Sequence, residues 1–311
     1  METFEGVYPV VSTPFDGDGE VDVQGLRSIV RAQVDWGVDG VVLFGIAAEF
    51  YKLTDEERRE IVRVAAAAVD GTDTALVVSV TDHATRLAVE FATFAEEAGA
   101  DGLMLLPPFF LGPSEADLLA HATRVGEAVS VPVMVQYAPE QTGVTIDPGR
   151  LAALAADVGT VRAVKVESQP PGPYVSRLLD AAAEAGADVD ALVGYAGLQM
   201  IEAMDRGAVG VIPGAALSPV YREIYEAHRE GRREEAVARH AELVPLLSFA
   251  VQGIEQFIHY EKRLLVDRGL IDSPRCRAPA FEPDDAFDRR FRECYAAVVD
   301  SLPDVGPSSP D

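Results

Sequence analysis

Cysteine and long apolar runs are both scarce in this chain of 311 residues. Its two cysteines, Cys276 and Cys294, lie near the C-terminus. They are too few for a disulfide framework and lack the CxxC spacing of zinc or redox sites. No basic stretch precedes an apolar run at the N-terminus, and no apolar run is long enough to span a bilayer. We therefore expect a cytoplasmic protein with no membrane partner.

Positive charge is also in short supply, with 26 lysines and arginines against 51 aspartates and glutamates. The net charge is −25 and the sequence pI is about 4.5. Such a surface repels nucleic acids and anionic lipids, so neither is expected as a partner. The acidity fits either a salt-adapted cytosol or an arginine-preferring composition of the high-GC kind, and the sequence leaves both open.

Lysine is the rarest charged residue, found only at Lys52, Lys165 and Lys262. Lys165 lies in the apolar, β-branched segment 161–167, which predicts a buried strand. Strand side chains alternate, so Val161, Ala163 and Lys165 are expected on one face. Burial disfavours an ammonium group, and a neutral lysine can attack a carbonyl to form a Schiff base. The ordinary alternative is a lysine at a strand end that reaches solvent.

Short apolar runs alternate with longer helical patterns about eight times, from a first strand at Val7–Val11 onward. This alternation predicts a (β/α)8 TIM barrel over residues 1–217. Only helical patterns follow, which predicts a C-terminal helical appendage packed on the barrel at 218–301. The segment 302–311, rich in Pro, Gly and Ser, is expected to be a disordered tail. Three helix starts carry capping signals: Thr54 with Glu57, Ser114 with Asp117, and Asp147 before Pro148.

A tyrosine ends the strand that precedes the Lys165 strand. By alternation Val133, Val135 and Tyr137 share a face, so Tyr137 is expected to point into the barrel. Consecutive strands are usually neighbours, which would place this phenol beside Lys165 as a proton shuttle. The alternative is a tyrosine that fills the barrel mouth with its hydroxyl in water.

Signals for metals and nucleotides are missing. The histidines His83, His121, His228, His240 and His259 form no HxH or HExxH pair. Neither a GxGxxG loop nor a Walker P-loop is present. No metal site is therefore expected.

An ordered set of motifs runs through the chain: Thr13-Pro14-Phe15, the Gly45–Glu49 loop with Leu53-Thr54, Tyr137 with Pro139, Lys165 with Glu167, Gly207–Ile212, and Lys262, Leu265, Gly269-Leu270, Arg277 and Pro279. This set resembles the dihydrodipicolinate synthase / N-acetylneuraminate lyase superfamily of class I aldolases. The spacing from Tyr137 to Lys165, 165 − 137 = 28 residues, suits that family.

The resemblance implies a (β/α)8 barrel that forms a homo-oligomer, a tetramer or a dimer, and needs no cofactor. Lys165 would form the Schiff base with a small 2-oxo acid, commonly pyruvate, and Tyr137 would shuttle protons. Substrate contacts would come from Gly45, Ile46, Ala47, Glu49, Phe110, Gly194 and Ile212.

Three departures from the family pattern bear on the substrate. Ile46 and Ala47 replace loop residues whose hydroxyls hold a carboxylate, and Phe109-Phe110 replaces a tyrosine pair. The arginine usual after the Tyr137 motif is missing as well. True dihydrodipicolinate synthase activity is therefore not expected, and the chain looks nearer the 2-keto-3-deoxy sugar acid branch.

The leading hypothesis is a Schiff-base lyase, an aldolase acting on the C–C bond of a 2-oxo-3-deoxy sugar acid or related 2-oxo acid. An alternative is a dehydratase of the 5-dehydro-4-deoxyglucarate type, since the same lysine imine supports both reactions. The altered Ile46-Ala47 loop leaves two more options open: a Schiff-base enzyme for a carbonyl compound without the carboxylate, and a non-catalytic metabolite-binding barrel.

Overall fold

The computed structural model describes residues 3–299 and 302, and in these residues eight strands form one sheet. The strands are β1 (Gly6–Val7), β2 (Gly40–Leu43), β3 (Ala75–Ser79), β4 (Gly102–Leu105), β5 (Val133–Tyr137), β6 (Val161–Val166), β7 (Asp190–Val193) and β8 (Gly210–Val211). The sheet order is β1-β8-β7-β6-β5-β4-β3-β2. Sequential strand order with intervening helices is the topology of a (β/α)8 barrel, and the predicted fold class is confirmed.

Helices follow the strands and continue after the last one. They are α1 (Val23–Asp35), α2 (Asp55–Val69), α3 (Thr85–Glu97), α4 (Glu115–Glu127), α5 (Pro139–Thr142), α6 (Pro148–Asp157), α7 (Gly172–Ala185), α8 (Met200–Met204), α9 (Ser218–Arg229), α10 (Arg233–Ala250), α11 (Ile254–Asp267) and α12 (Asp285–Val299). Short 3-10 turns lie at Ile46–Ala48, Phe50–Lys52 and Tyr195–Gly197.

All three predicted helix caps are present. Thr54 and Glu57 form a reciprocal capping box at α2. The Ser114 side chain accepts the N–H of Asp117 at α4, and the Asp147 side chain accepts the N–H of Gly149 at α6. Each cap satisfies a backbone donor that the first helical turn leaves open.

The first strand is shorter than predicted, Gly6–Val7 instead of Val7–Val11. Pro9 has no N–H to donate, so it interrupts a regular ladder. Pairing continues beyond it in isolated form: the N–H of Val10 bonds to Pro213 O at 2.8 Å and that of Val11 to Val42 O at 2.9 Å.

The chain divides into two compact units. The Lys165 unit comprises the residues up to Gly6 and Ala75–Ile212, and the Lys262 unit comprises Val7–Thr74 and the residues from Pro213 onward. The predicted boundary at 217–218 stays a prediction. Apart from Leu302, the tail expected at 302–311 lies outside the described residues. No helix in the described part of the chain is long and apolar enough to cross a membrane.

The pairing of the central strands in the Lys165 unit decides which side chains become neighbours. All of the residues of β5 are buried, as are five of the six in β6, which fits parallel strands covered on both faces. Val133 pairs with Val161, but the register then shifts, so that Met134 pairs with Ala163 and Gln136 with Lys165.

In the Lys262 unit, a buried carboxylate supports the segment ahead of α9. Glu261 of α11 accepts the N–H of Ala216 at 2.7 Å. A Cβ atom at Gly214 would lie 2.5 Å from Glu261 Oε2, so the backbone approaches the carboxylate closely. Burial raises the pKa of Glu261 to about 7, although the backbone N–H of Ala216 lowers it.

This carboxyl group predicts a pH-dependent stability. Because its pKa is raised on folding from 4.5 to about 7, its stabilising protonation is complete below 4.5 and is lost as pH rises through about 7. Glu261→Gln cannot lose a proton. The wild type therefore loses stability as the pH rises while the variant does not. The difference in free energy of unfolding, variant minus wild type, should increase by on the order of 3 kcal/mol between about pH 4 and pH 8.

Urea unfolding of both proteins across this pH range measures the effect. Glu234→Gln, which changes an exposed glutamate, is the matched control and should show no such trend. A constant difference between Glu261→Gln and wild type at all pH values would contradict the assignment.

Candidate active site

Lys165 lies near the end of β6 and is buried, with 5 % of its side chain exposed. Its Nζ is 3.1 Å from Oε1 of Glu167, two residues along the same strand direction. Side chains two residues apart point to the same side, so the amine and the carboxylate project together. The burial expected of Lys165 is confirmed, but its partner was not anticipated as a site residue.

Three further groups hold Glu167 in place. Gln136 of β5 donates its amide Nε2 to Oε2 of Glu167 at 2.5 Å. The backbone N–H of Tyr195, just after β7, donates to Oε1 at 3.2 Å. A Cβ atom at Gly194 would lie only 2.0 Å from Oε1, so the carboxylate needs a glycine at this position. Both carboxylate oxygens are therefore directed by the protein.

The backbone that supplies the Tyr195 donor is itself constrained. Tyr195 and Ala196 have φ values of 54° and 52°, in the left-handed region that non-glycine residues seldom adopt. Each such residue costs on the order of 1–3 kcal/mol and persists only where the surroundings enforce it. The strained backbone orients the N–H of Tyr195 so that it donates to Glu167.

The expected inward orientation of Tyr137 is wrong. Its ring stacks on Tyr174 of α7, with centroids 4.2 Å apart and planes inclined by 19°. The Tyr174 hydroxyl in turn donates to Ile146 O at 2.9 Å. Tyr137 thus lies on the face of the sheet that packs against helices, and burial together with the charge of Glu140 raises the pKa of its phenol.

A register shift explains this reversal. The unshifted pairing of Val133 with Val161, 161 − 133 = 28 residues apart, would have placed Tyr137 beside Lys165, also 28 residues apart. After the shift, Gln136 pairs with Lys165 and Tyr137 pairs with Val166. Moving one residue in register exchanges the two faces of a strand, so an amide takes the place expected for the phenol.

Two other expected site residues lie in the Lys165 unit near strand ends. Gly194 follows β7 and packs against the Glu167 carboxylate. Ile212 follows β8, is buried, and donates its N–H to Val193 O at 2.8 Å. Substrate contact by either residue stays a prediction.

Phe110 is placed differently. It lies on a loop after β4 with 79 % of its surface exposed, next to Leu111, which is 88 % exposed. Its ring centroid is 6.1 Å from that of His83. Phe110 is therefore outside the buried cluster of Lys165, Glu167 and Gln136, and its substrate contact also stays a prediction.

The remaining expected residues, Gly45, Ile46, Ala47 and Glu49, belong to the Lys262 unit. Ile46 and Ala47 are half-buried in a 3-10 turn, which Thr13 supports by donating its hydroxyl to Ala48 O at 2.8 Å. Gly45 lies so close to Val10 that a Cβ would be 2.9 Å from Cγ1 of that valine. The turn is thus rigidly supported within its own unit.

Glu49 is fully buried and surrounded by cationic groups. Its Oε1 is 2.5 Å from Nζ of Lys262, and its Oε2 is 3.1 Å from Nζ of Lys52. The backbone N–H of Arg277 also donates to Oε2, at 3.0 Å. Burial lowers the pKa of Lys262, although Glu49 favours its charged form. Protein groups contact both oxygens, so this carboxylate supports the loop, and substrate contact by Glu49 stays a prediction.

Phe15 completes the arrangement around Lys262. Nζ of Lys262 lies 4.3 Å from the centre of the Phe15 ring, and Cζ of Arg277 lies 4.5 Å from it. Cations over an aromatic face are stabilised by its quadrupole. Four motif residues distant in sequence thus form one cluster, in which Phe15, Glu49 and Lys262 are buried and Arg277 is half-buried.

Removing one partner of a buried ion pair leaves an uncompensated charge. We expect Lys262→Met to lower the free energy of unfolding by about 3 kcal/mol, measured by urea denaturation. Lys52→Met is the matched control, because Lys52 pairs partly with Glu255, whose side chain is 32 % exposed, and should cost less. A Lys262→Met protein within about 0.5 kcal/mol of wild type would contradict this role.

Among residues 3–299 and 302, no group of three or more His, Cys, Asp or Glu side chains is arranged to hold a metal ion.

Comparison with known proteins places the chain among enzymes. The model of the dihydrodipicolinate synthetase family matches residues 3–294. A 4-hydroxy-tetrahydrodipicolinate synthase of Acidothermus cellulolyticus is 31% identical over 301 residues, covering 95% of this chain and 92% of that protein. An L-2-keto-3-deoxyarabonate dehydratase of Azospirillum brasilense is 29% identical over 287 residues, covering 90% of each.

A solved structure shows the same fold. It is a prophage protein of the dihydrodipicolinic acid synthase family from E. coli K12 in complex with pyruvate. It superposes with a TM-score of 0.86 and 26% sequence identity over 96% of this chain and 98% of that one.

Proposed function

The chain belongs to the dihydrodipicolinate synthetase family, and from this premise we propose that it is a Schiff-base-forming lyase for a 2-oxo-3-deoxy sugar acid or a related 2-oxo acid. The named relatives are lyases. The observation that carries the proposal is the buried amine of Lys165, held 3.1 Å from a carboxylate that can accept its proton. A neutral lysine amine can attack the C2 carbonyl, and the resulting imine withdraws electrons from C3.

Two bond-breaking steps can follow from this imine. In an aldolase, the C4 hydroxyl loses a proton and the C3–C4 bond breaks, leaving pyruvate as the keto fragment. In a dehydratase, a C3 proton is removed and the C4 hydroxyl leaves as water. A relative named as a sugar acid dehydratase matches 90% of this chain, which supports the second of these reactions.

A specific observation favours the dehydratase as second candidate. The residue paired with Lys165 is Gln136, an amide, which cannot deprotonate a C4 hydroxyl as aldol cleavage requires. The nearby titratable partner is Glu167, and this single carboxylate is enough for dehydration, because it can remove the C3 proton and then return it to the leaving C4 hydroxyl.

The substrate carboxylate is the part of this proposal that depends on the Gly45–Glu49 loop. In the family pattern loop hydroxyls hold this carboxylate, and because Ile46 and Ala47 carry none, only backbone N–H groups of the loop remain for it. We also propose a cytoplasmic homo-oligomer, a tetramer or a dimer. The exposed Phe110 and Leu111 support the oligomer, because large apolar side chains at a surface suit a subunit contact.

Borohydride trapping tests the proposed chemistry. Incubation with pyruvate or L-2-keto-3-deoxyarabonate and reductant should add one keto fragment, seen by intact mass. Because the chain has only Lys52, Lys165 and Lys262, peptide mapping assigns the adduct unambiguously. We expect it on Lys165 and expect none in Lys165→Ala.

The trapped mass and the products separate the alternatives. Pyruvate released from the sugar acid indicates aldol cleavage, whereas loss of one water indicates dehydration. An adduct formed only with a carbonyl compound that lacks a carboxylate would indicate a different substrate class. No adduct on Lys165 with well-folded protein would refute the Schiff-base proposal and favour a metabolite-binding barrel.

A further inference from the structure

The acid–base group nearest to the reacting amine is a carboxylate. Oε1 of Glu167 lies 3.1 Å from Nζ of Lys165, the atom that becomes bonded to the substrate. A proton can pass directly between groups at this distance. In the imine, C2 of the substrate is bonded to Nζ and C3 is bonded to C2. Both carbon atoms therefore lie close to the carboxylate of Glu167.

Hydrogen bonds from neighbouring residues also fix the orientation of the Glu167 carboxylate. The Gln136 amide and the Tyr195 N–H each donate to one of its oxygens, and Gly194 leaves room for it. Three different strand ends, those of β5, β6 and β7, thus contribute to its orientation.

The phenol of Tyr137, which the sequence favoured as the proton shuttle, points away from Lys165. Tyr137 packs on Tyr174 on the helix-facing side of β5, whereas Gln136, Lys165 and Glu167 share the opposite face. The position beside Lys165 is therefore filled by an amide, which cannot take up a proton at neutral pH.

From these contacts we infer that Glu167 is the proton-transfer catalyst of this site, with Gln136 and Gly194 as its positioning residues. The inference rests on the proposed Schiff-base function and assigns its proton chemistry. It also implies that Glu167 can remove a proton from C3 of the bound substrate and return it.

The proton balance of imine formation closes with these groups alone. The Lys165 ammonium gives one proton to Glu167, and the free amine forms the N–C2 bond while the carbonyl oxygen accepts that proton from Glu167. A second proton passes from nitrogen through Glu167 to the same oxygen, which leaves as water. One proton remains on the iminium nitrogen, and Glu167 is again a carboxylate.

The regenerated carboxylate then acts on carbon. Glu167 removes a C3 proton, and the electron pair of that C–H bond forms the enamine. In the dehydration, protonated Glu167 returns its proton to the C4 hydroxyl, the C4–O bond breaks, and the enamine electrons form the C3–C4 double bond. One water is lost, and no oxidant or reductant is required.

Hydrogen exchange at C3 tests this assignment without knowledge of the physiological substrate. Wild type incubated with pyruvate in D2O should exchange methyl protons, which NMR measures, and borohydride should trap pyruvate on Lys165. We expect Glu167→Gln to slow both exchange and single-turnover trapping by about 100-fold or more, the range of general acid–base catalysis. Glu167→Asp should restore part of both rates.

Tyr137→Phe is the matched control, because it removes the phenol that the sequence favoured and leaves the Glu167 contacts unchanged. It should retain both rates within about threefold, well below the effect of an acid–base group. Should Glu167→Gln fail to fold, Gln136→Met removes one donor to the carboxylate and should slow exchange by about tenfold, as misplacement of a catalytic group does.

Two results would overturn the inference: rates in Glu167→Gln and Gln136→Met equal to wild type, or a 100-fold loss confined to Tyr137→Phe. Either leaves the Schiff-base function standing, because wild type still traps its substrate on Lys165. Absence of any adduct on Lys165 in wild type refutes the proposed function itself, which keeps the two failures distinguishable.

Discussion

The one-residue register shift between β5 and β6 is the constraint on which the Lys165 cluster depends. It places Gln136 beside Lys165 and lets its amide reach Glu167, and it turns Tyr137 toward α7. Successive side chains of a strand point to opposite faces of the sheet. A shift of one residue therefore moves every later side chain to the other face relative to the neighbouring strand. The chemistry available at the lysine is therefore decided by backbone pairing upstream of it.

Buried charge is used in both units of the chain, but with different surroundings. Glu49 and Lys262 are fully buried and directed at each other, with Lys52, Arg277 and Phe15 around them. Lys165 and Glu167 are also nearly buried, but their partners are neutral donors, an amide and a backbone N–H. The Lys165–Glu167 pair is therefore built into a network of neutral hydrogen-bond donors, whereas the Glu49–Lys262 pair has further cations around it.

Two carboxylates of the recognised motifs, Glu49 and Glu167, have partners that the sequence did not reveal. Glu49 belongs to a motif expected at the substrate, yet both of its oxygens are occupied by protein groups. Glu167 was visible two residues after Lys165 as part of the resemblance, but its role required knowing that Gln136 and Tyr195 converge on it. A signal was available in the i, i+2 spacing, which places Glu167 on the face of the lysine.

The sequence by itself determined the (β/α)8 alternation, the helix caps at Thr54, Ser114 and Asp147, and the burial of a rare lysine near the end of β6. These features arise from local patterns of polarity and hydrogen-bonding groups, which are written directly in the chain. Only the tertiary structure decided that Gln136 and Glu167, not Tyr137, surround that lysine. Register between strands depends on packing over both faces of the sheet, and a bulge that shifts it by one residue leaves no mark in the period of either strand.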